Sequence, residues 1–309
     1  MPFADEFRAL SGRFSGQLEF DAPLSRVAYY RIGGPASVLA TPRNLEDLAL
    51  LHEVVLRTGC PVFILGWGSN LLFPDEGYAG LVLRMKHLFT GVEETGPGRL
   101  RVGGSLGASA LLRVAAERGY GGLERLTGIP GSVGGMITMN AGTHLGEIGS
   151  ILIQTEMVSF GAGSPVLEKR IRVHEPSDFS YRRNHFLGSS DLILHAELVF
   201  EPEDPARVKA NIDDLYQRRK STQPVDLPSC GSVFMNPKSS GLHAWQVVEK
   251  LGLKGYRIGD AQVSEKHGNF IVNLGSAKAS DVRALIRLIR DRAKTELGID
   301  LHEEVRILS

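Results

Sequence analysis

The sequence predicts an α+β fold, and three patterns along its 309 residues indicate this class. Apolar residues recur at helical spacing in several segments, first in Thr41–Gly59, where Asn44 suits an N-cap and Gly59 a C-terminal stop. Apolar and polar residues alternate through much of the middle third, as in half-buried antiparallel strands. The last hundred or so residues combine helical and strand patterns again. The middle third is therefore predicted to be rich in sheet, and the last third to be a separate α+β unit.

The remaining elements follow from the same periodicities and from glycine and proline punctuation. In chain order, the expected elements are a strand at Pro61–Leu65, strands at Gly80–Arg84 and Arg99–Val102 with a turn at Glu93–Gly98, a helix at Ala108–Arg118, strands at Ile151–Phe160, Val166–Val173 and Leu192–Phe200, helices at Ala206–Lys220 and Leu242–Leu251, a strand near Phe270–Asn273, a helix at Ser280–Leu297 capped by Ser280 and Asp281, and a closing strand at Glu303–Leu308. The acidic, proline-containing segment Glu201–Pro205 is the expected boundary before the last unit.

Composition excludes several classes of partner. Thirty-five basic and 35 acidic residues give a net charge of zero, so the chain lacks the excess of positive charge that is typical of proteins that bind nucleic acids or anionic membranes. No apolar run reaches the ~20 residues that span a bilayer, and Met1–Leu10 carries charges where a signal peptide would be apolar. Cys60 and Cys230 lie far apart in the sequence and indicate neither a disulfide framework nor a zinc site. We expect a monomeric cytoplasmic protein with a small-molecule partner.

The segment Gly128–Gly142, here called the Gly128 segment, has five glycines and one proline in fifteen residues. It is expected to contain too little side chain for a core and to approach a flat or anionic ligand closely. Successive amides near Gly131, Ser132 and Val133 can point at one acceptor, as in backbone nests. The alternative is a tight structural crossover.

A second glycine-containing loop, Gly66–Asn70, follows the strand Pro61–Leu65 and is called the Gly66 loop. It does not match the dinucleotide fingerprint, because a proline at position 74 stands where a helix would begin. The loop can still hold a diphosphate through its own amides, the Ser69 hydroxyl and the Asn70 side chain. A structural hairpin is the alternative.

Other catalytic classes lack their motifs. The nine histidines do not form His-x-x-x-His, and neither a Gly-Lys-Ser/Thr loop nor a Gly-x-Ser-x-Gly elbow occurs. Metal, kinase and hydrolase chemistry are therefore disfavoured, and no metal site is expected. One cofactor spanning both glycine loops is favoured, with its diphosphate at Gly66–Asn70 and its ring system at Gly128–Gly135. The connection Phe179–Phe186 is dense in cations and aromatic residues, which favours anion recognition.

Six motifs in order carry a family resemblance, and they extend from about Ser25 to Leu308: Arg31–Ala36, Leu65–Leu72, Gly128–Gly142, Tyr181-Arg182, Cys230–Phe234 and Glu304–Arg306. Together they resemble the motifs of UDP-N-acetylenolpyruvoylglucosamine reductases. The resemblance implies a flavoenzyme of peptidoglycan precursor synthesis in which NADPH reduces bound FAD. Hydride then passes to the enolpyruvyl ether of a UDP-sugar, giving UDP-N-acetylmuramate. It also implies the vanillyl-alcohol-oxidase-type FAD-binding fold, with two subdomains at residues 1–88 and 89–203 and a substrate domain at 204–309.

The resemblance assigns three catalytic roles, each of which suits the chemistry. Hydride addition places negative charge next to a carboxylate, and Arg182 is the candidate to stabilise it. The resulting enolate needs a proton on carbon, and Ser232, held at a glycine turn, is the candidate donor. Glu304 resembles the family carboxylate that shares in stabilising the enediolate, which requires it to be protonated or hydrogen-bonded.

Binding residues are carried over from the same motifs. The expected FAD contacts are Gly66, Gly68, Ser69, Asn70, Leu71, Gly128, Ile129, Pro130, Gly131, Ser132, Gly134, Gly135, Asn140, Ala141 and Gly142. The expected substrate contacts are Tyr181, Arg219, Gln223, Asn236, Lys254 and His267, with Lys254 facing the UDP diphosphate.

The chain departs from the family pattern at two places. Only Arg183–Ser190 separates Tyr181-Arg182 from the next strand, so the chain resembles the shorter subclass, without the insertion that carries a substrate-covering tyrosine. Trp67 is bulkier than the small residue expected between Gly66 and Gly68, which can alter packing beside the flavin.

Two other functions stay open from the sequence. A sugar, lactone or alcohol oxidase of the same fold can tether FAD through a histidine, for which His144 is a candidate, but such an enzyme gives Arg182, Ser232 and Glu304 no obvious role. The other alternative is a non-catalytic nucleotide-sugar binding protein. This function predicts that the purified protein is colourless and shows no spectral response to NADPH.

Overall fold

The computed structural model describes residues 2–161, 163, 166–238 and 240–308. The chain forms two compact units: unit 1 comprises Met1–Asp21, Ala36–Trp67 and Ala79–Gln217, and unit 2 comprises Ala22–Pro35, Gly68–Tyr78 and Arg218–Ser309. The division at residues 88 and 203 refers to family subdomains rather than to these packing units, and it stays a prediction.

The helices are α1 (Pro2–Arg8), α2 (Leu45–Thr58), α3 (Ala108–Arg118), α4 (Val133–Thr138), α5 (Pro205–Thr222), α6 (Ala244–Lys250) and α7 (Ala279–Leu297). The strands are β1 (Gln17–Pro23), β2 (Pro35–Thr41), β3 (Val62–Leu65), β4 (Leu71–Leu72), β5 (Tyr78–Arg84), β6 (Val92–Gly96), β7 (Arg99–Gly103), β8 (Tyr120–Gly121), β9 (Gly142–Thr143), β10 (Gly146–Glu147), β11 (Leu152–Ser159), β12 (Arg170–Val173), β13 (Phe179–Ser180), β14 (Arg183–Asn184), β15 (Asp191–Val199), β16 (Glu201–Pro202), β17 (Arg257–Ile258), β18 (Ala261–Val263), β19 (Ile271–Asn273) and β20 (Arg306–Ile307).

Unit 1 contains a four-stranded sheet in the order β1-β2-β5-β3. Helix α2 packs its apolar stripe, including Leu48, Leu51 and Val55, into one core with residues of this sheet. Its ends are as predicted: the Asn44 side chain accepts a hydrogen bond from the Asp47 amide, and Gly59 adopts a left-handed conformation at φ 64°. These local signals explain why the sequence predicted this helix well.

A five-stranded antiparallel sheet, ordered β12-β11-β15-β7-β6, forms the second layer of unit 1. Helices α3 and α4 bury Leu111, Val133 and Ile137 in a core shared with Leu100 and Leu198 of this sheet. This packing places the Gly128 segment, which contains α4, next to the central strands.

Two predictions about this sheet are wrong. The expected turn at Glu93–Gly98 is mostly strand, because β6 pairs with β7, and only Pro97 and Gly98 form the turn. The expected half-buried strand Val166–Val173 is limited to β12, whose four residues are all exposed because it lies at the sheet edge. Pairing with the next strand decided the first outcome and the position at the sheet edge decided the second, and periodicity reports neither.

Unit 2 is built around a three-stranded sheet, β17-β18-β19, of which only the last strand was predicted. Its core joins α6 and α7 to Tyr30, Ile32 and Leu72, so two early chain segments belong to this unit. The closing strand is shorter than predicted, since β20 contains only two residues, which pair in parallel with β4.

The start of α7 also differs from the prediction. Its N-cap is Lys278, not the Ser280-Asp281 pair, and the Asp281 carboxylate accepts a hydrogen bond from the Lys278 amide. The Asp75 carboxylate accepts from the amides of Ala279 and Ser280 at 2.7 and 3.0 Å. The first amides of the helix are therefore capped by a carboxylate that is remote in sequence. Within the described residues, no helix is both long and apolar enough to span a membrane.

Candidate active site

The Gly128 segment is mostly buried or half-buried, and Gly135 is its exposed residue. Contrary to expectation it contributes to the core, because α4 buries Val133, Met136 and Ile137. Of the three amides expected to share an acceptor, that of Val133 instead donates to the Leu106 carbonyl at 2.9 Å. Within the described part of the chain, the Gly131 and Ser132 amides make no backbone hydrogen bond.

The two glycine loops approach each other within unit 1. A Cβ atom placed on Gly66 would lie 2.7 Å from the Ser132 Oγ, closer than real Cβ atoms come. That hydroxyl is already in use, since it caps α4 by accepting from the Gly135 amide at 3.3 Å. Residues without side chains therefore line the surface where Gly66 meets the start of α4, which suits close approach of a flat cofactor.

Trp67 is accommodated by a further glycine. A Cβ on Gly107 would lie 2.5 Å from the indole Cζ2, so the absence of a side chain there makes room for the ring. The indole remains 43% exposed. The space left by Gly107 thus accommodates the large side chain of Trp67 beside the Gly66 loop.

Arg182 is fixed to the end of the Gly128 segment. Its guanidinium donates to the Glu147 Oε1 at 3.0 Å and to the Gly142 carbonyl at 2.7 Å. The second Glu147 oxygen accepts from the Asn140 side chain at 2.6 Å. The Tyr181 ring lies 4.9 Å from the guanidinium carbon. The structure thus brings together four predicted site residues, and Glu147, in no recognised motif, was not predicted.

Ser232 and Glu304 come together in unit 2. Ser232 follows Gly231, which takes a left-handed φ of 77° that few other residues tolerate, and it precedes Val233. The Glu304 amide donates to the Val233 carbonyl at 2.8 Å. Burial raises the pKa of the adjacent Cys230 thiol to about 12, and the charge of Glu304 adds to the effect. The Cys230 thiol is therefore neutral at physiological pH.

The distal part of the Gly66 loop belongs to unit 2 and is hydrogen-bonded to the chain at Glu304 and Arg306. The Asn70 side-chain amide donates to the Glu304 carbonyl at 3.1 Å, and the Asn70 carbonyl accepts from the Arg306 amide at 3.1 Å. Leu71 then begins β4 beside β20. The Asn70 side chain, expected to contact a diphosphate, therefore also serves to connect the loop to Glu304. Gly68 and Ser69 lie in the same unit, and Gly68 accepts from the Tyr29 amide at 3.1 Å.

Three of the predicted substrate residues form a basic cluster in unit 2. Burial lowers the pKa of His267, and the charges of Lys254 and Arg219 lower it further against the opposing charge of Glu249. Burial also lowers the pKa of Arg219, which still remains charged at neutral pH. Lys254 donates to the Glu249 carboxylate at 3.1 Å.

Two buried polar atoms next to this cluster lack a hydrogen-bond partner among the described residues. They are the Nε of Arg219 and the Oε1 of Gln223, both near the end of α5. Unpaired buried polar atoms are unfavourable and are expected to be satisfied by a ligand or water. Asn236 has a structural contact as well, because its Oδ1 accepts from the Ala244 amide at the start of α6.

No group of three or more metal-binding side chains occurs within residues 2–161, 163, 166–238 and 240–308. The hydrogen-bond donors in unit 1 are backbone amides and a guanidinium, and those in unit 2 are a hydroxyl and a basic cluster, with the Glu304 amide hydrogen-bonded to Val233, the residue after Ser232. Amides, guanidinium groups and basic clusters bind and polarise organic anions.

Comparisons with known proteins agree with this arrangement. The model of the FAD binding domain matches residues 36–166, and that of the UDP-N-acetylenolpyruvoylglucosamine reductase C-terminal domain matches residues 223–308. UDP-N-acetylenolpyruvoylglucosamine reductase 2 of Symbiobacterium thermophilum is 38% identical over 99% of this chain and 96% of its own length. The reductase of a Synechococcus species is 41% identical over 95% of this chain and 94% of its own length.

A solved structure extends the similarity to the fold. The crystal structure of the corresponding reductase from Thermus caldophilus superimposes with a TM-score of 0.77 at 33% identity, covering 95% of this chain and all of that one. The predicted α+β fold with a vanillyl-alcohol-oxidase-type FAD-binding domain is confirmed, and so is FAD as the cofactor. On this full-length similarity, the chain belongs to the UDP-N-acetylenolpyruvoylglucosamine reductase family.

Proposed function

We propose that this chain reduces the enolpyruvyl ether of UDP-N-acetylglucosamine enolpyruvate to UDP-N-acetylmuramate, a step of peptidoglycan precursor synthesis, with NADPH as electron donor. The relatives' names supply the substrate class. The observation that carries the assignment is the hydrogen bond from the Glu304 amide to the Val233 carbonyl, which supports a proton donor at Ser232 and a carboxylate at Glu304 acting in one site. This pair, which an oxidase or a binding protein does not require, favours a reaction that ends in protonation.

The residues of unit 1 fit the flavin. The side-chain-poor surface at Gly66 and Gly135, and the amides of Gly131 and Ser132, would hold its ring system. Ser69 and Asn70, which belong to unit 2, stay in the proposed set of FAD contacts. When bound, FAD would supply the two-electron chemistry that carries hydride equivalents from NADPH to the methylene carbon of the substrate. The protein contributes orientation, charge stabilisation and the proton.

Arg182 is proposed to stabilise the charge that develops beside the substrate carboxylate. Its ion pair with Glu147 offsets much of its net charge, so directed N–H donors rather than a bare cation carry the effect. The bonds to Glu147 and Gly142 fix the guanidinium in advance, so it need not reorganise during the reaction. A preorganised donor stabilises the transition state more than a mobile one.

Ser232 is proposed to complete the reaction. As hydride adds to the methylene carbon, the double-bond electrons move to the carbon that bears the carboxylate, and the Ser232 hydroxyl donates its proton to that carbon. Water then restores the serine proton. Glu304 is proposed to share in stabilising the enediolate, in which role it is protonated or hydrogen-bonded when the charge develops.

The basic cluster is proposed to hold the nucleotide diphosphate of the substrate. Lys254 and Arg219 supply positive charge, and the unpaired Arg219 Nε and Gln223 Oε1 offer a donor and an acceptor. Tyr181, Asn236 and His267 stay in the proposed set of substrate contacts.

An anaerobic spectral cycle tests the proposal. The purified protein should be yellow, lose its visible flavin absorbance on addition of NADPH, and regain it when the enolpyruvyl UDP-sugar is added. Flavin that remains attached to the denatured chain and is reoxidised only by oxygen would instead indicate an oxidase. A colourless protein without spectral response would indicate a binding protein. Either result would overturn the proposal.

A further inference from the structure

A buried row of polar side chains lies beneath the Tyr181-Arg182 turn in unit 1. The Thr155 Oγ1 lies 2.9 Å from the His174 Nε2, and the His174 Nδ1 lies 3.0 Å from the Asp178 Oδ2. Thr155 is fully buried, and the His174 side chain is 1% exposed. We call this row the Thr155–His174–Asp178 relay.

The protonation of the relay follows from its surroundings. Bonds from Arg172, His174 and the Glu175 amide hold the pKa of Asp178 well below its usual range, so this carboxylate only accepts. Burial lowers the pKa of His174, despite the opposing effect of Asp178, so the ring is neutral at pH 7. Nδ1–H must then donate to Asp178, which leaves Nε2 to accept from the Thr155 hydroxyl.

The order hydroxyl, imidazole, carboxylate also occurs in nucleophilic hydrolases, but here it cannot act that way. A nucleophile must reach its substrate, and Thr155 is in the middle of β11 with no exposed surface. The relay therefore has a structural role, and its contacts with neighbouring elements show which part of the fold it stabilises.

The relay supports both strands of the hairpin that carries Arg182. The His185 amide donates to the Asp178 carbonyl at 2.9 Å, next to β14. The His174 ring packs 5.5 Å from Phe179, at the start of β13, and 4.4 Å from Phe186, just beyond β14. Two strands of two residues each, β13 and β14, pair across this base and leave Tyr181 and Arg182 as the turn.

The turn needs such support. Arg182 has φ 57°, a left-handed conformation that is unfavourable for a residue with a side chain and persists only when surrounding contacts enforce it. The guanidinium contacts to Glu147 and Gly142 hold one end of the residue, and the hairpin base holds the other.

We propose that Thr155, His174 and Asp178 are positioning residues that set the Arg182 guanidinium for the substrate half-reaction. The inference rests on the proposed function, in which Arg182 acts on the substrate after the flavin is reduced. It predicts that damage to the relay leaves reduction of the flavin intact and slows its reoxidation by the enolpyruvyl sugar.

The test uses the FAD-loaded full chain and Thr155→Val, which keeps the shape of the side chain and removes the hydroxyl. Reoxidation of the reduced flavin by the enolpyruvyl UDP-sugar should slow about tenfold, while reduction by NADPH changes less than about twofold. Thr155→Ser, which restores the hydroxyl, should recover the rate. Thr95→Val, which removes an exposed hydroxyl bond in the same sheet, is the matched control and should match the wild type. Equal slowing of both half-reactions, or no rescue by serine, would overturn the proposal.

A double-mutant cycle with Arg182→Lys distinguishes positioning from general damage. If the relay acts through Arg182, Thr155→Val adds little to the defect of Arg182→Lys, whereas independent effects would multiply and contradict the proposal. If Thr155→Val does not fold, Asp178→Asn takes its place in the same cycle.

Amide hydrogen exchange supplies a readout that does not depend on activity. Exchange in residues 179–186 should accelerate in Thr155→Val and not in Thr95→Val, and unchanged exchange would overturn the relay. Should the wild type fail to regain flavin absorbance with the enolpyruvyl sugar, the proposed function fails, while the exchange result still decides whether the relay holds the turn.

Discussion

At the scale of single residues, Gly66 connects the sequence most directly to cofactor binding. A methyl group at this position would meet the Ser132 hydroxyl at 2.7 Å and force apart the two glycine loops. We expect Gly66→Ala to weaken FAD binding about tenfold, equivalent to about 1.4 kcal/mol, as measured by titrating the apoprotein with FAD and following flavin fluorescence.

A matched control is available in the same unit. A Cβ on Gly91 would meet nothing within 4 Å, so Gly91→Ala should bind FAD like the wild type. Wild-type affinity in Gly66→Ala would show that the backbone at this point is not part of the flavin surface.

At the scale of elements, α7 depends on a carboxylate outside its own segment. Asp75 accepts from the amides of Ala279 and Ser280, and these bonds outweigh burial to give its carboxyl a lowered pKa. We expect Asp75→Ala to lower the free energy of unfolding by about 1 kcal/mol, since a helix N-terminus loses its acceptor. Denaturant unfolding monitored by circular dichroism measures this change.

The comparison for Asp75 is Asp291→Ala, at an exposed position in the interior of the same helix. That substitution removes an equal charge without removing a cap, so its stability should stay within about 0.5 kcal/mol of the wild type. Similar losses in both variants would mean that the charge, and not the cap, stabilises α7.

Elements with local signals were predicted closely from the sequence. Helix α3 has the predicted bounds because Gly119 ends it in a left-handed conformation. The extents of strands β6 and β12 were mispredicted because they depend on pairing with a partner strand and on position in the sheet, which periodicity does not report. The cap of α7 was also missed, since Asp75 lies about 200 residues before the helix it stabilises.

The site shows the same contrast between local and distant information. Ordered motifs identified Arg182, Ser232 and the glycine loops as candidates. Sequence did not reveal that Gly66 meets Ser132 or that Asn70 bonds to the Glu304 carbonyl, because neither pair is close in the chain. Glu147 stands outside every motif, and only its bonds to Arg182 and Asn140 show its place in the network.

At the scale of the whole molecule, family similarity extends over nearly the full chain, at 38% identity over 308 residues for one relative. The six motifs occur in family order along this length, which explains why the family could be recognised before the fold was described. We propose a different role for each unit. Unit 1 binds the flavin ring and carries the charge-stabilising groups, and unit 2 carries the proton donor and the basic cluster.

The central claim is that the Ser232 hydroxyl protonates the substrate carbon. The most direct test is stopped-flow measurement of both half-reactions in Ser232→Ala under anaerobic conditions. We predict that NADPH reduces the flavin at a near-normal rate, while reoxidation by the enolpyruvyl UDP-sugar slows by at least about a hundredfold. Reoxidation at the wild-type rate, or equal loss in both half-reactions, would contradict the account.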